Sequence, residues 1–70
     1  MERQPVKSSV IAALGYDRQT QMLEVEFTTG RVYEYFAVPA TVFEGFLKAE
    51  SIGRYFNAHV RDHYRVKEVT

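Results

Sequence analysis

The chain has 70 residues, carries nine basic and nine acidic side chains, and contains no cysteine. A chain of this length forms one small domain and has little room for a second core or a deep catalytic cleft. The lack of cysteine excludes a disulfide framework and a thiolate metal site, which fits a reducing compartment. No apolar run approaches the ~18 residues of a membrane span, and the first residues lack a signal-peptide core. We therefore predict a cytoplasmic protein that does not bind a membrane.

The charges are unevenly distributed along the chain, although their sum is zero. Between residues 24 and 50, five acidic side chains outnumber two basic ones, whereas between residues 51 and 67 four bases face one acid. Because a neutral molecule has no overall field that attracts polyanions, an anionic partner would depend on this local excess. The C-terminal third is the segment where we expect an anion to bind.

Hydrophobic patterning predicts a flexible N-terminal tail over residues 1–8 and a single domain over residues 9–70. Pro5 and mixed charges without periodicity are typical of a frayed terminus. Residues 10–16 are β-branched and apolar enough for a first strand, and residues 22–28 alternate apolar with polar side chains. This period of two predicts a strand with one buried and one solvated face.

Gly30 predicts a hairpin between the second strand and a third strand that contains Tyr33 and Tyr35. A three-residue loop closed by Gly30 in the left-handed conformation pairs Val25 with Tyr33 and turns both tyrosines toward the apolar face. A two-residue Thr29-Gly30 turn shifts the register by one residue and places both tyrosines on the outer face. We favour the three-residue loop, because Thr-Gly is not typical of the tight primed turns. The register decides whether the tyrosines are core residues or an exposed platform.

Two helices are predicted after the third strand. Pro39 is well tolerated in the first helical turn, whereas a capping box formed by Thr41 and Glu44 would start the same helix two residues later. Ser51 is a favourable N-cap for the second helix. Residues at helical spacing predict the stripes that face the core, which are Val42, Phe43, Phe46 and Leu47 in the first helix and Tyr55, Phe56, His59, Val60, His63 and Tyr64 in the second.

These elements predict an α+β fold, in which a three-stranded antiparallel sheet (β-β-β) is followed by two helices packed on one face. The segment from residue 65 to residue 69 is compatible with a further short extended stretch. The side chains expected to cover the sheet are Val42, Phe43, Phe46, Leu47, Phe56 and Val60.

A series of short motifs follows in a definite order over about residues 9–64. Their positions are Gly15-Tyr16-Asp17, Leu23, Phe27, Gly30, Tyr33, Tyr35, Val38-Pro39, Ala49, Ser51, Gly53, Tyr55-Phe56-Asn57 and Tyr64. The ordered set resembles the KTSC domain, a small bacterial domain named for its occurrence at the C-terminus of some lysyl-tRNA synthetases. The resemblance implies an uncharacterised domain for which RNA binding has been suggested.

Tyr33 and Tyr35 are candidates for stacking RNA bases, since they lie two residues apart on one predicted strand. Sheet-based RNA-binding domains stack successive bases on aromatic side chains, at about 1–3 kcal/mol per base. The alternative is core packing, for which strands are enriched in tyrosine. We expect four basic side chains to hold phosphates, and these are Arg54, Arg61, Arg65 and Lys67. The alternative is that they simply form a solvated helix face.

Ser51, Gly53 and Arg54 are candidates for an anion site at the start of the second helix. The free N–H groups and the positive dipole end of a helix attract phosphate. Gly53 would let the phosphate approach closely, Ser51 would donate its hydroxyl, and Arg54 would add a charge-assisted pair. The alternative is a helix corner in which Ser51 caps the helix and Gly53 relieves crowding.

His59 and His63 lie four residues apart, but the sequence offers no third ligand and no His-Glu-x-x-His motif. We therefore predict no metal and no other cofactor. A nucleophile elbow and a phosphate loop are also missing, so we predict that the chain is not an enzyme. The predicted function is a small binding module for RNA, tRNA-like or single-stranded. The alternative is a protein–protein adaptor or homodimerisation module that docks through a sheet edge or an aromatic patch.

Overall fold

The computed structural model describes residues 2–69, so Met1 of the predicted tail and Thr70 of the predicted domain lie outside the described residues. Within that range the chain forms one antiparallel sheet of five strands in chain order, with two helices inserted before the last strand. No helix of this range is long and apolar enough to cross a membrane. The elements are β1 (Gln4–Pro5), β2 (Ile11–Asp17), β3 (Met22–Phe27), β4 (Val32–Tyr35), α1 (Ala40–Lys48), α2 (Ile52–His59) and β5 (Val66–Glu68).

The α+β class and the two helices are confirmed, but the prediction of three strands is wrong, since residues 2–69 contain five. β1 lies within the segment predicted as a flexible tail, and Gln4 pairs with Leu14. β5 lies in the short extended stretch, and Glu68 pairs with Tyr33. Both additional strands have three residues or fewer and are fully exposed, so they are too short to show a period of two.

The β3–β4 hairpin has the register predicted for the three-residue loop. Val25 lies opposite Tyr33 in the ladder. The N–H of Phe27 donates to the carbonyl of Arg31 at 2.9 Å, and Gly30 adopts the left-handed conformation with φ 95°. The apolar side chains of β3 therefore face the same side of the sheet as both tyrosines of β4.

The start of α1 is set by the proline rather than by the capping box. The helix begins at Ala40, directly after Pro39, and its first turn has no side-chain cap. Thr41 lies inside the helix, and Glu44 pairs with Arg18 of the β2–β3 turn at 3.4 Å. The carboxylate that would have closed the box is thus engaged with another element.

α2 is shorter than the stripe predicted for it. The helix ends at His59, and His63 and Tyr64 follow it in a turn. Asp62 has φ 66°, a left-handed conformation that ends a right-handed helix. Tyr64 still packs against the core after this turn, so the apolar periodicity continues beyond the end of the helix.

The core lies between the two helices and one face of the sheet, as predicted. Phe46, Phe56 and Val60 are buried in it, and Val42 and Phe43 of α1 are half-buried. Leu47 was predicted to cover the sheet, but it is 64% exposed. It lies about 100° around the helix from Phe46, and a helix of nine residues buries a narrow stripe.

Polar groups at the borders of the core have partners. The hydroxyl of Tyr16 donates to the carbonyl of Val38 at 2.5 Å, and burial raises the pKa of this phenol above its ordinary value of 10.0. On the opposite face of the sheet Glu24 is 7% exposed and accepts a hydrogen bond from Arg3 at 2.6 Å. The Arg3 contact holds part of the predicted tail against the sheet.

Candidate nucleic-acid interface

A surface groove runs beside α2, between this helix and the loop that precedes β2. Its inner part is a cleft of about 280 Å³ lined by Val10, Phe27, Tyr35, Gly53, Phe56, Asn57 and Arg61. Its outer part shares three of these residues and adds Lys7, Ser8, Ser9, Glu50, Ser51, Ile52 and Arg54. We call the two parts together the α2 groove.

The α2 groove carries an excess of positive charge, although the whole chain is neutral. Three basic side chains, Lys7, Arg54 and Arg61, line it together with one acidic side chain, Glu50. Among residues 2–69 these three basic side chains form no salt bridge, and the same is true of Lys48, Arg65 and Lys67 outside the groove, whereas the other three arginines are each paired with a glutamate. The groove therefore presents uncompensated positive charge to an anion.

Two of the four predicted phosphate contacts lie in this groove. Arg54, Asn57 and Arg61 follow one another at intervals of three and four residues, so the first two share one side of α2 and the third continues the row beyond its end. Over seven residues such a row extends about 10 Å along the helix axis. The structure thus brings two predicted cations together with an amide between them.

The other two predicted phosphate contacts lie outside the groove. Arg65 precedes β5, and its carbonyl accepts a hydrogen bond from the N–H of Phe36 at 2.9 Å. Lys67 lies opposite Glu34 in the β4–β5 ladder. Because Tyr35 faces the helices and strand residues alternate, Glu34 and Lys67 face the opposite side of the sheet. The four bases therefore do not form one continuous stripe.

The start of α2 combines both interpretations of Ser51 and Gly53. The Oγ of Ser51 accepts a hydrogen bond from the N–H of Arg54 at 3.2 Å, so this side chain caps the helix. The N–H groups of Ile52 and Gly53 are the first-turn donors that this cap leaves available. Gly53 does not relieve crowding, since the nearest atom to a Cβ there would be Cγ2 of Val10 at 3.9 Å. Gly53 lines both parts of the α2 groove, so its backbone is accessible to a ligand that enters there.

Tyr33 and Tyr35 face the core and do not form an exposed stacking platform. Tyr35 is 7% exposed, and its ring packs edge-to-face on Phe56 with centroids 5.6 Å apart. Burial raises the pKa of Tyr35 above its ordinary value of 10.0. Tyr33 is half-buried and meets Phe27 in the same way at 5.5 Å. The two rings therefore offer no platform for successive bases, and Tyr35 belongs to the groove only as a lining residue of the inner cleft.

Sequence reasoning missed Lys7 and Asn57 as groove residues and treated Val10 as part of a strand. The loop that carries Lys7 is shaped by Ser8, whose Oγ accepts hydrogen bonds from the N–H groups of Val10 and Ile11 at 3.1 and 3.2 Å. A serine that binds N–H groups two and three residues further on is a known turn signal, so this loop had a detectable sequence cue. Asn57 belongs to one of the motifs that carry the family resemblance.

His59 and His63 are held in different surroundings. The imidazole of His59 lies over the ring of Tyr55, with centroids 4.4 Å apart, whereas His63 is exposed in the turn after α2. In the described part of the chain, no three His, Asp or Glu side chains are placed to hold a metal ion.

Comparisons with known proteins identify the family. Residues 7–64 match the KTSC domain. An uncharacterised protein of Stutzerimonas stutzeri is 47% identical over 66 residues, which are 93% of each chain. A lysine–tRNA ligase of Nostoc punctiforme is 38% identical over 64 residues, which are 91% of this chain but 11% of the ligase. The crystal structure of a KTSC domain protein from Yersinia pestis has a TM-score of 0.93 at 36% identity and covers 99% of this chain and 97% of its own. The chain therefore belongs to the KTSC domain family.

Proposed function

We propose that this KTSC domain is a non-enzymatic module that binds RNA, tRNA-like or single-stranded, through the α2 groove. The observation that carries the proposal is that Lys7, Arg54 and Arg61 line the groove without a salt bridge in residues 2–69. Basic side chains that are not neutralised within the protein can replace counterions on phosphates. The similarity to a segment of a lysine–tRNA ligase supports the same class of ligand, because that enzyme is named for tRNA.

The proposal includes no catalytic residue, metal, cofactor or membrane partner. The titratable side chains of the groove are mainly cations, a set suited to holding anions rather than to acid–base catalysis. We place the protein in the cytoplasm, since a chain without cysteine fits a reducing compartment.

Arg61→Gln is expected to weaken RNA binding and to reduce its dependence on salt. If Arg61 contacts one phosphate of a single strand, its loss lowers the slope of log affinity against log salt by about 0.7. The affinity would be measured by fluorescence anisotropy with a labelled single-stranded RNA and with bulk tRNA, between about 50 and 200 mM salt.

Arg18→Gln is the matched control for this variant. It removes the same charge from the exposed β2–β3 turn, where Arg18 forms a surface ion pair with Glu44 that contributes little to stability. Equal losses of affinity in the two variants would indicate a general charge effect and contradict the assignment of the groove. Unchanged binding by Arg61→Gln would contradict it as well.

Gly53→Ala is expected to weaken RNA binding without destabilising the fold. The added Cβ would lie 3.9 Å from Cγ2 of Val10, an ordinary contact, and alanine favours the helix. Because Cα–Cβ bonds tilt toward the helix N-terminus, this methyl group would stand beside the available N–H groups. Losing an anion contact there lowers affinity by about 2- to 5-fold. Unchanged affinity together with an equal or higher Tm would remove Ser51 and Gly53 from the interface.

A second candidate function is a protein–protein adaptor or homodimerisation module. It is favoured by the edge strand β5, in which Val66 is 50% exposed, and by Val69 directly after it, which is 48% exposed. An exposed edge can pair with a strand of another chain. Such an apolar contact would change little with salt, whereas RNA binding weakens steeply. A dimer that persists at high salt in light scattering, from a protein that binds no RNA, would favour this second function.

A further inference from the structure

We propose that the inner part of the α2 groove binds a single unstacked nucleobase. This inference rests on the proposed RNA-binding function and names the part of the RNA that enters the molecule. The cleft has a volume of about 280 Å³, and Val10, Phe27 and Phe56 are among its lining residues. Apolar walls with a few placed polar groups are the usual composition of a small-ligand site.

The aromatic wall of the cleft is held rigidly before any ligand arrives. Phe27 meets Phe56 edge-to-face with centroids 5.4 Å apart, and it meets Tyr33 in the same way at 5.5 Å. Phe27 nevertheless remains half-buried, and Val10, which lines the same cleft, is 49% exposed. A flat apolar ring would remove this surface from water without ordering any new side chain. The cleft is therefore preorganised for an aromatic ligand.

Besides the phenol of Tyr35, Asn57 and Arg61 supply the polar side chains of the cleft. Asn57 lines both parts of the α2 groove, and its amide can donate one hydrogen bond and accept another. This is the pattern by which an amide pairs with N6 and N7 of adenine. Arg61 lines the same cleft and would hold the phosphate of that nucleotide. Proteins commonly recognise single-stranded RNA by inserting one base beside a phosphate contact.

The charges of the groove favour a nucleotide strand over an apolar peptide. The cleft opens into the outer part, where Lys7 and Arg54 continue the line of cations away from Arg61. A nucleic-acid strand carries a phosphate at every nucleotide and would contact all three cations. The C-terminus of a peptide carries one carboxylate and would leave the outer cations without a partner. Charge complementarity thus points to RNA as the occupant.

The test compares two RNA hexamers of equal charge, hexa-adenylate and a hexamer in which every base is replaced by an abasic site. We expect the full chain to bind hexa-adenylate about 5- to 150-fold more tightly, since one stacked base contributes that range. The salt slopes of the two hexamers should be equal because their phosphates are equal in number. Asn57→Ala should lower the affinity for hexa-adenylate by about 2- to 10-fold and leave that for the abasic hexamer unchanged.

The control variant is Gln19→Ala, which removes an exposed amide from the β2–β3 turn. Both substitutions lie at exposed positions, and alanine at residue 57 favours α2, so both variants should fold. Equal affinity for the two hexamers with a normal salt slope would overturn the base cleft and leave RNA binding intact. An Asn57→Ala loss that is the same for both hexamers would overturn it too. Binding of neither hexamer would overturn the base cleft, and failure to bind bulk tRNA as well would overturn the proposed function. Binding of an apolar peptide C-terminus instead would assign the cleft to protein docking.

Discussion

Phe56→Ala is expected to lower the free energy of unfolding by about 3–5 kcal/mol, the usual cost of truncating a buried phenylalanine. Phe56 is 7% exposed, and its ring meets Phe27 and Tyr35 edge-to-face at 5.4 and 5.6 Å. It therefore joins α2 to both strands of the central hairpin. A domain of 70 residues has a total stability of roughly 4–10 kcal/mol, so the variant would be close to unfolding.

Urea unfolding followed by circular dichroism measures this loss, with Phe56→Leu as the control. Leucine keeps most of the apolar burial and gives up the two aromatic contacts, so its cost should be about 1–3 kcal/mol and smaller than that of alanine. A loss of less than about 1 kcal/mol in the alanine variant would contradict the position of Phe56 in the core. Because the same ring lines the inner cleft, RNA affinity should be compared only between variants that remain folded.

The elements that could be predicted are those whose signals are local. Gly30 supports the observed hairpin register because its left-handed conformation closes the three-residue loop, whereas either primed two-residue turn would also need a positive φ at Thr29, which the structure does not have. Pro39 and Ser51 mark the starts of the two helices through their own backbone and side-chain chemistry. Each of these signals depends on a few neighbouring residues, so it is readable without knowledge of the tertiary structure.

The elements that could not be predicted depend on tertiary contacts. β1 and β5 exist because the edges of β2 and β4 offer backbone hydrogen bonds to them, and their own residues are exposed and too few to show a period. Leu47 has the right spacing for the core stripe of α1, yet which face of that short helix meets the sheet is decided by packing.

The same distinction applies to the candidate site. Arg54 and Arg61 could be predicted to act together, since they are seven residues apart in the segment predicted as the second helix, and the turn after α2 keeps Arg61 at the same groove. Lys67 could not be separated from them by sequence, because its position depends on the face that β5 presents when it pairs with β4. Lys7 reaches the groove through a loop whose path is fixed by its packing beside α2. Charge composition therefore located the C-terminal half of the site and missed the N-terminal half.

Gly45→Ala is expected to lower the free energy of unfolding by about 1–3 kcal/mol, because the ring of Tyr55 from α2 packs directly against this glycine of α1. A Cβ at Gly45 would lie 1.9 Å from the hydroxyl oxygen of Tyr55 and 2.5 Å from Cζ of its ring. That ring is fixed by a hydrogen bond from its hydroxyl to the carbonyl of Val42 at 2.7 Å. It also packs against the ring of Phe46, with the two ring centroids 4.5 Å apart. Moving the ring breaks this hydrogen bond, which costs about 1 kcal/mol. Alanine gains roughly the same amount over glycine in helix propensity, so these two effects cancel and the cost of overpacking remains.

The test is a double-mutant cycle in which Gly45→Ala is made in the wild type and in Tyr55→Ala. Without the Tyr55 ring the crowding disappears, and the same substitution should stabilise the protein by up to about 1 kcal/mol through helix propensity. A cost that persists in the Tyr55→Ala background would show that the crowding has another source. Tyr55 lies outside the α2 groove, on the side of α2 that meets α1, so Gly45→Ala should leave the RNA affinity of the folded protein unchanged. One side of α2 would then be assigned to holding the two helices together, and the other to binding the ligand.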